Sequence, residues 1–157
     1  MARVFDFSKV NKGVKIYGFV QALLVILLVF MAVYFQGGLQ AEGRPERFLH
    51  SVIVSVVIQF ILFYFLKRFA ASDVDRDIES TANDLTPDDV KKLRKKRIYS
   101  EYFKSAFVLF YFTFAYLAPK DRFVLSVIFI SFILTLITYF QCYNFLAKKA
   151  IKEKSSP

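Results

Sequence analysis

Apolar residues in this chain neither alternate as in a strand nor recur on a single helix stripe; they run together in four long blocks. The blocks cover residues 16–35, 48–66, 103–118 and 123–146. An α-helix needs about 20 apolar residues, within a range of about 17–25, to cross the hydrocarbon core of a bilayer. Three blocks reach that length outright. The third reaches it when Ile98, Tyr99 and Tyr102 extend it and Lys104 lifts its ammonium toward the headgroups. Continuous runs without inside–outside alternation argue against barrel strands. The pattern predicts an all-α polytopic membrane protein, a single domain over residues 1–157 with four transmembrane helices in an up-down bundle.

Charge placement orients these helices. Residues 1–15 carry four Lys or Arg (Arg3, Lys9, Lys12 and Lys15), residues 67–104 carry ten, and the tail carries Lys148, Lys149, Lys152 and Lys154. The opposite side has only Arg44, Arg47, Lys120 and Arg122. Basic residues stay on the cytoplasmic side, so both termini are expected there, with two short external loops. A signal peptide cleaved after Ala41 is the rival reading of the first block. That block exceeds the roughly 7–15 residues of a signal core, and Leu39 suits the cleavage box poorly, which favours a retained helix. The pair Gly37-Gly38 is expected to break the first helix. The short connection at 119–122 makes the third and fourth helices antiparallel neighbours. Tyr17, Tyr34, Tyr99, Tyr102, Tyr116 and Tyr143 fall near predicted helix ends, as interfacial anchors do.

Between the second and third blocks, residues 67–102 predict a charged cytoplasmic helical hairpin. One arm is acidic (Asp73, Asp75, Asp77, Glu79, with Asp84 beyond), and the second helix is expected to extend to about Asn83-Asp84. The other arm is basic, with Lys91, Lys92, Arg94, Lys95, Lys96 and Arg97. Thr86-Pro87-Asp88-Asp89 reads as a helix start: a capping hydroxyl, a proline suited to the first turn, and two carboxylates at the positive end. No breaker follows before Pro119, so that helix should run unbroken into the third block. Val74 and Ile78 are expected to pack against Val90 and Leu93. The basic run is read first as a topology determinant whose charges are solvated or paired with the acidic arm. Its sharper reading is a docking patch for anionic lipid or an acidic protein, at about 1 kcal/mol per basic residue near an anionic leaflet. Seven acidic residues from Asp73 to Asp89 offset much of that attraction.

Inside the apolar blocks, Ser51, Ser55 and Gln59 share one helix face, and Ser131, Thr135, Thr138 and Cys142 share another. Both stripes suit close helix packing with interhelical hydrogen bonds, as does the Gly18/Ala22 pair. A polar path through a homo-oligomer is the alternative.

The remaining chemistry is sparse. Cys142 is the one cysteine and His50 the one histidine, which excludes an intrachain disulfide and a Cys/His metal cluster. No Asp, Glu, Lys or Arg sits mid-block, which disfavours proton-coupled transport. His50 with Glu46 and Glu42 could form an external acid–base group, but no nucleophile or ligand set accompanies it. The net charge of +9 flanks apolar runs instead of lining a soluble face, which disfavours nucleic acid. No catalytic, metal or cofactor residues are therefore assigned. The expected role is a non-enzymatic membrane accessory, assembly or interaction protein. Its partners would be membrane lipids, including anionic ones, and a protein partner or a second copy. A homo-oligomeric pore and a lipid-modifying membrane enzyme are the alternatives. With no readable sorting motif, a bacterial inner membrane is the expected location.

Overall fold

A computed structural model describes residues 5–155; Arg3, counted above in the basic N-terminal tail, lies outside the described residues. The chain is all-helical: α1 Ser8–Ala41, α2 Glu46–Glu79, α3 Pro87–Leu117 and α4 Arg122–Ser155. Three of them, α1, α2 and α4, are long and apolar enough to cross a membrane. Each has 34 residues, so at the α-helical rise each is about 50 Å long against a hydrocarbon core of about 30 Å. Their ends must stand outside it. In α3 the first half is charged and only the second half is apolar.

Local chemistry sets the helix ends. α1 does not stop at Gly37-Gly38; it runs through both and ends in a Schellman turn. Gly43 takes the left-handed conformation at φ 72°. Its N–H donates to Gln40 O, and the Arg44 N–H donates to Leu39 O. Glycine inside a helix is only modestly unfavourable, whereas the turn requires a residue free to adopt positive φ. α2 ends at Glu79, short of Asn83-Asp84, because Ser80 and Thr81 turn their hydroxyls back to the carbonyls of Asp77 and Ile78. α3 starts as its sequence requires. Thr86 Oγ1 accepts from the Asp89 N–H at 3.2 Å, the Asp89 carboxylate accepts from the Thr86 N–H, and Pro87 follows the cap. At α4, Asp121 Oδ1 accepts from the N–H groups of Phe123 and Val124.

α4 is the spine of the bundle, packed along both α2 and α1. Contacts up the shared seam show that α2 and α4 run in the same direction: Ser55 meets Val127, Gln59 meets Thr138, and Asp77 meets Tyr143. Thus the closest helix pair is not one joined by a short loop. Ser51, Ser55 and Ser126 lie fully buried, and such small side chains let two backbones approach. α3 touches α2 and α4 only lightly, and Ser100 is its one buried residue among those described.

At one end, a core cluster joins Val10 of α1, Ala70, Val74 and Ile78 of α2, and Tyr139, Tyr143 and Ala147 of α4. Val74 and Ile78 therefore pack toward α1 and α4 and not onto Val90 and Leu93; Val90 is left half-exposed. The acidic helix buries its apolar stripe in the existing core, where α1 and α4 both border it, and the opposing arm of α3 stands off. Residues 5 and 6 cross the 80–86 turn, with an antiparallel bridge between Phe5 and Ala82. At the other end, Arg122 pairs with Glu42 and donates to Gly38 O, and Arg47 approaches Asp121. A Cβ at Gly38 would sit 2.6 Å from the Arg122 guanidinium, so this glycine leaves room for the arginine. Outward faces remain strongly apolar; Phe60, for instance, is 78% exposed. Such contiguous surface needs hydrocarbon around it.

Replacing Thr86 with Ala should destabilise the start of α3 by about 1 kcal/mol and speed amide hydrogen exchange at residues 88–90 about fivefold. Unaltered exchange there would mean that the cap does not hold this turn.

Candidate functional site

Asp73 lies on α2 one turn beyond the core residue Ala70, with only 2% of its surface exposed. A carboxylate removed from water must be met by donors, and this one is met on both oxygens. Oδ1 accepts from Arg76 Nη1 at 2.8 Å and from Ser100 Oγ at 2.6 Å. Oδ2 accepts from the Tyr139 hydroxyl at 2.6 Å and lies 3.1 Å from Lys104 Nζ. The donors come from α2, α3 and α4, so this one group ties three helices together. Asp77, one turn on, accepts from Arg76 Nε and Nη2 through Oδ1 and from the Tyr143 hydroxyl through Oδ2. Helical periodicity puts Asp73, Arg76 and Asp77 on one side of α2, and Ser100 and Lys104 one turn apart on α3.

The network closes on itself electrostatically. Arg76 and Lys104 answer Asp73 and Asp77, and the more exposed Glu101 lies 3.3 Å from Lys104. Burial alone would raise the Asp73 carboxyl, but hydrogen bonds from Ser100 and Tyr139 and the Lys104 charge outweigh it. The carboxyl is held below the usual carboxylate range. A carboxylate whose four acceptor positions are filled is not poised to take a proton. The arrangement works as a polar pin.

Beside the pin opens a lateral cleft of about 800 Å³ between α2, α3 and α4, with Tyr17 of α1 on one side. Its walls are aromatic and aliphatic, from residues such as Leu62, Phe65, Phe107 and Leu136, while Arg68, Ser72, Glu101 and Lys104 gather at one end. It exists because α3 is held by the pin, by a few ring contacts such as Phe103 with Phe69 and Tyr111 with Phe132, and by a hydrogen bond between Tyr111 and Thr135, instead of a continuous seam.

The two polar stripes face each other across α2 and α4. Gln59 Nε2 donates to Thr138 Oγ1 at 2.7 Å, and Thr135 Oγ1 donates to Gln59 Oε1 at 3.2 Å. Ser55 Oγ reaches the Val127 carbonyl as well as its own helix, and Ser51 bonds back to Phe48 O. Ser131 Oγ is buried without a partner among the described residues. Lys91, Lys92, Arg94, Lys95, Lys96 and Arg97 all lie exposed on the first half of α3. Lys96 of the basic arm comes within 4.0 Å of Glu79 on the acidic one. His50 is exposed, and Glu42 is turned toward Arg122.

The pin was not foreseen from the sequence, which suggested that Asp73 and Asp77 are solvated or paired with the 91–97 basic run, and that Lys104 and Tyr143 meet the headgroups. Lys104 turns inward to Asp73, and Tyr143 is 2% exposed, bonded to Asp77. The available signal was the Asp-x-x-Arg-Asp spacing at 73–77 set against Ser100 and Lys104, four residues apart. No known protein family matches the chain, and neither a curated protein nor a solved structure is similar to it.

Removing the Asp73 charge should leave Arg76 and Lys104 underpaired. Asp73→Asn is expected to cost about 3–5 kcal/mol, read by thermal unfolding in mild detergent. The lowered carboxyl pKa sets the sign of the pH effect. Its contribution is complete above the unfolded value of about 3.9 and is lost as pH falls through the lower folded value. The wild-type protein should thus lose stability below about pH 4 more steeply than Asp73→Asn. Parallel acid profiles would rule out this role for the carboxylate.

Proposed function

We propose that the chain crosses the bilayer four times with both termini in the cytoplasm and acts, without catalysis, as an accessory or assembly subunit. The observation that carries this reading is the state of α3. It is lightly held, its basic half faces outward, and its apolar half leaves Leu109, Phe110 and Phe112 more than 60% exposed. A helix presented in this way suits contact with something other than its own bundle. The buried charged groups, by contrast, are engaged with one another.

A crossing by α3 is supported by the pairing of Lys104. An ammonium neutralised by Asp73 does not oppose burial near the interface as a free one would. The apolar part of α3 is short for a span, and local thinning or tilt of neighbouring helices accommodates such a mismatch at modest cost. The count of Lys and Arg supports a cytoplasmic position for the termini and the 80–86 turn. That side carries the exposed basic arm, whose contacts would be an acidic partner surface or anionic headgroups. A bacterial inner membrane fits this distribution.

Native mass spectrometry of protein extracted gently from its own membrane should show a defined hetero-complex. Replacing Lys91, Lys92, Lys95 and Lys96 with Gln, with topology checked by cysteine labelling, should weaken that association at least about tenfold. A monomer or homo-oligomer with no partner would overturn the accessory role; an unaffected complex in the lysine variant would overturn docking through α3.

A further inference from the structure

We propose that the cleft between α2, α3 and α4 holds one anionic phospholipid, its phosphate against Arg68 and Ser72 and one acyl chain in the apolar trough. This rests on the membrane-spanning reading above, and adds a specific ligand site away from the exposed basic arm.

Three features of the cleft favour this occupant. The first is how polarity is distributed. Arg68, Ser72, Glu101 and Lys104 sit at the end nearer the 80–86 turn, and the lining beyond them, from Leu62 on α2, Val108 on α3 and Leu136 on α4, is apolar. A polar cap over an apolar trough is the shape of an amphiphile.

The second is depth. From Arg68 down to Leu62 the α-helical rise gives about 9 Å, less than the roughly 15 Å of hydrocarbon in one leaflet. The trough stays within one leaflet and receives the upper part of an acyl chain. A transmembrane helix from a partner would need the whole thickness.

The third is charge. Lys104 is shared between Asp73 and Glu101, and Arg76 between Asp73 and Asp77. Arg68 is exposed, and no carboxylate pairs with it among the described residues. The mouth therefore retains one unanswered guanidinium, with the Ser72 hydroxyl one helical turn away on the same face. A planar guanidinium fork suits phosphate oxygens, and a headgroup without a cation of its own leaves its phosphate free for Arg68, whereas in a zwitterion the lipid's own ammonium competes for it.

The test uses the full chain in a neutral detergent, titrated with dioleoyl phosphatidylglycerol or dioleoyl phosphatidylcholine and read by native mass spectrometry. One phosphatidylglycerol should be retained about tenfold more tightly than phosphatidylcholine. Arg68→Ala should remove that preference, and Arg68→Lys should keep part of it. Val108→Trp, which fills the trough without changing charge, should weaken retention of both lipids. The four-lysine variant of α3 should leave the single bound lipid in place. Circular dichroism identifies any variant that fails to fold, and the comparison of the two lipids on the wild-type chain needs no variant. Equal retention of both lipids would overturn the proposal, as would a preference that survives both Arg68→Ala and Val108→Trp or is lost only in the four-lysine variant. A polypeptide crosslinked at Phe65 in place of lipid would overturn it too. Release of the chain from membranes by alkaline carbonate would instead defeat the membrane reading on which the site rests.

Discussion

A charged carboxylate placed between helices must find donors or raise its pKa until it becomes neutral, and much of this structure follows from how Asp73 finds them. Its oxygens take donors from Arg76 on its own helix, Ser100 and Lys104 on α3, and Tyr139 on α4. The desolvation of the ion is answered by short hydrogen bonds and by two cations, so the group stays ionised and directional. Because those donors come from three helices, the positions of α2, α3 and α4 at this end are mutually dependent. Arg76 carries the constraint to Asp77, and Tyr143 carries it back into the core beside Val10 and Ala147.

Elsewhere the helices meet by a different rule. Apolar side chains gain little by leaving lipid for one another, so helix association in a membrane depends on close backbone approach and on hydrogen bonds between spans. α2 and α4 supply both: buried serines along their seam and the Gln59 bonds to Thr135 and Thr138. Beyond the pin, α3 supplies little of either, a hydrogen bond between Tyr111 and Thr135 being one such link. Its apolar half is built of large aromatic and aliphatic residues that hold its backbone away from the others, with ring contacts such as Tyr111 on Phe132. A helix fixed by a polar pin at one level and loosely packed along its length leaves space beside it. The lateral cleft is that space, and its mixed lining is inherited from the charged pin on one side and the aromatic faces on the other.

The stripes at Ser51, Ser55 and Gln59 and at Ser131, Thr135 and Thr138 show how this affects function. Facing each other within one chain, Gln59, Thr135 and Thr138 spend their hydrogen bonds on packing. On the outside lie the exposed basic arm of α3, where Lys96 comes within 4.0 Å of Glu79, and Arg68 at the mouth of the cleft. Both suit a negatively charged counterpart, one a broad surface and the other a single headgroup, and that is why interaction is proposed here in preference to reaction.

What the sequence by itself determined is what depends on near neighbours in the chain. Long apolar blocks make helices whatever they pack against, and Thr86, Pro87 and Asp89 build a helix start from groups three residues apart. The ends that differed from expectation were also local, but turned on finer competition: Gly43 took the positive-φ position that Gly37-Gly38 did not need, and the hydroxyls of Ser80 and Thr81 stopped α2 early. Only the tertiary structure decided which faces meet. Val74 and Ile78 have the right spacing to pack on either α3 or α1 and α4, and periodicity cannot choose between partners. Tyr143 near a helix end reads as an interfacial anchor until α2 brings Asp77 to its hydroxyl, and Lys104 reads as a cation seeking headgroups until Asp73 stands 3.1 Å away. A side chain's reach is local, but the identity of the group it reaches is set by helices that the chain brings together from 27 to 66 residues apart.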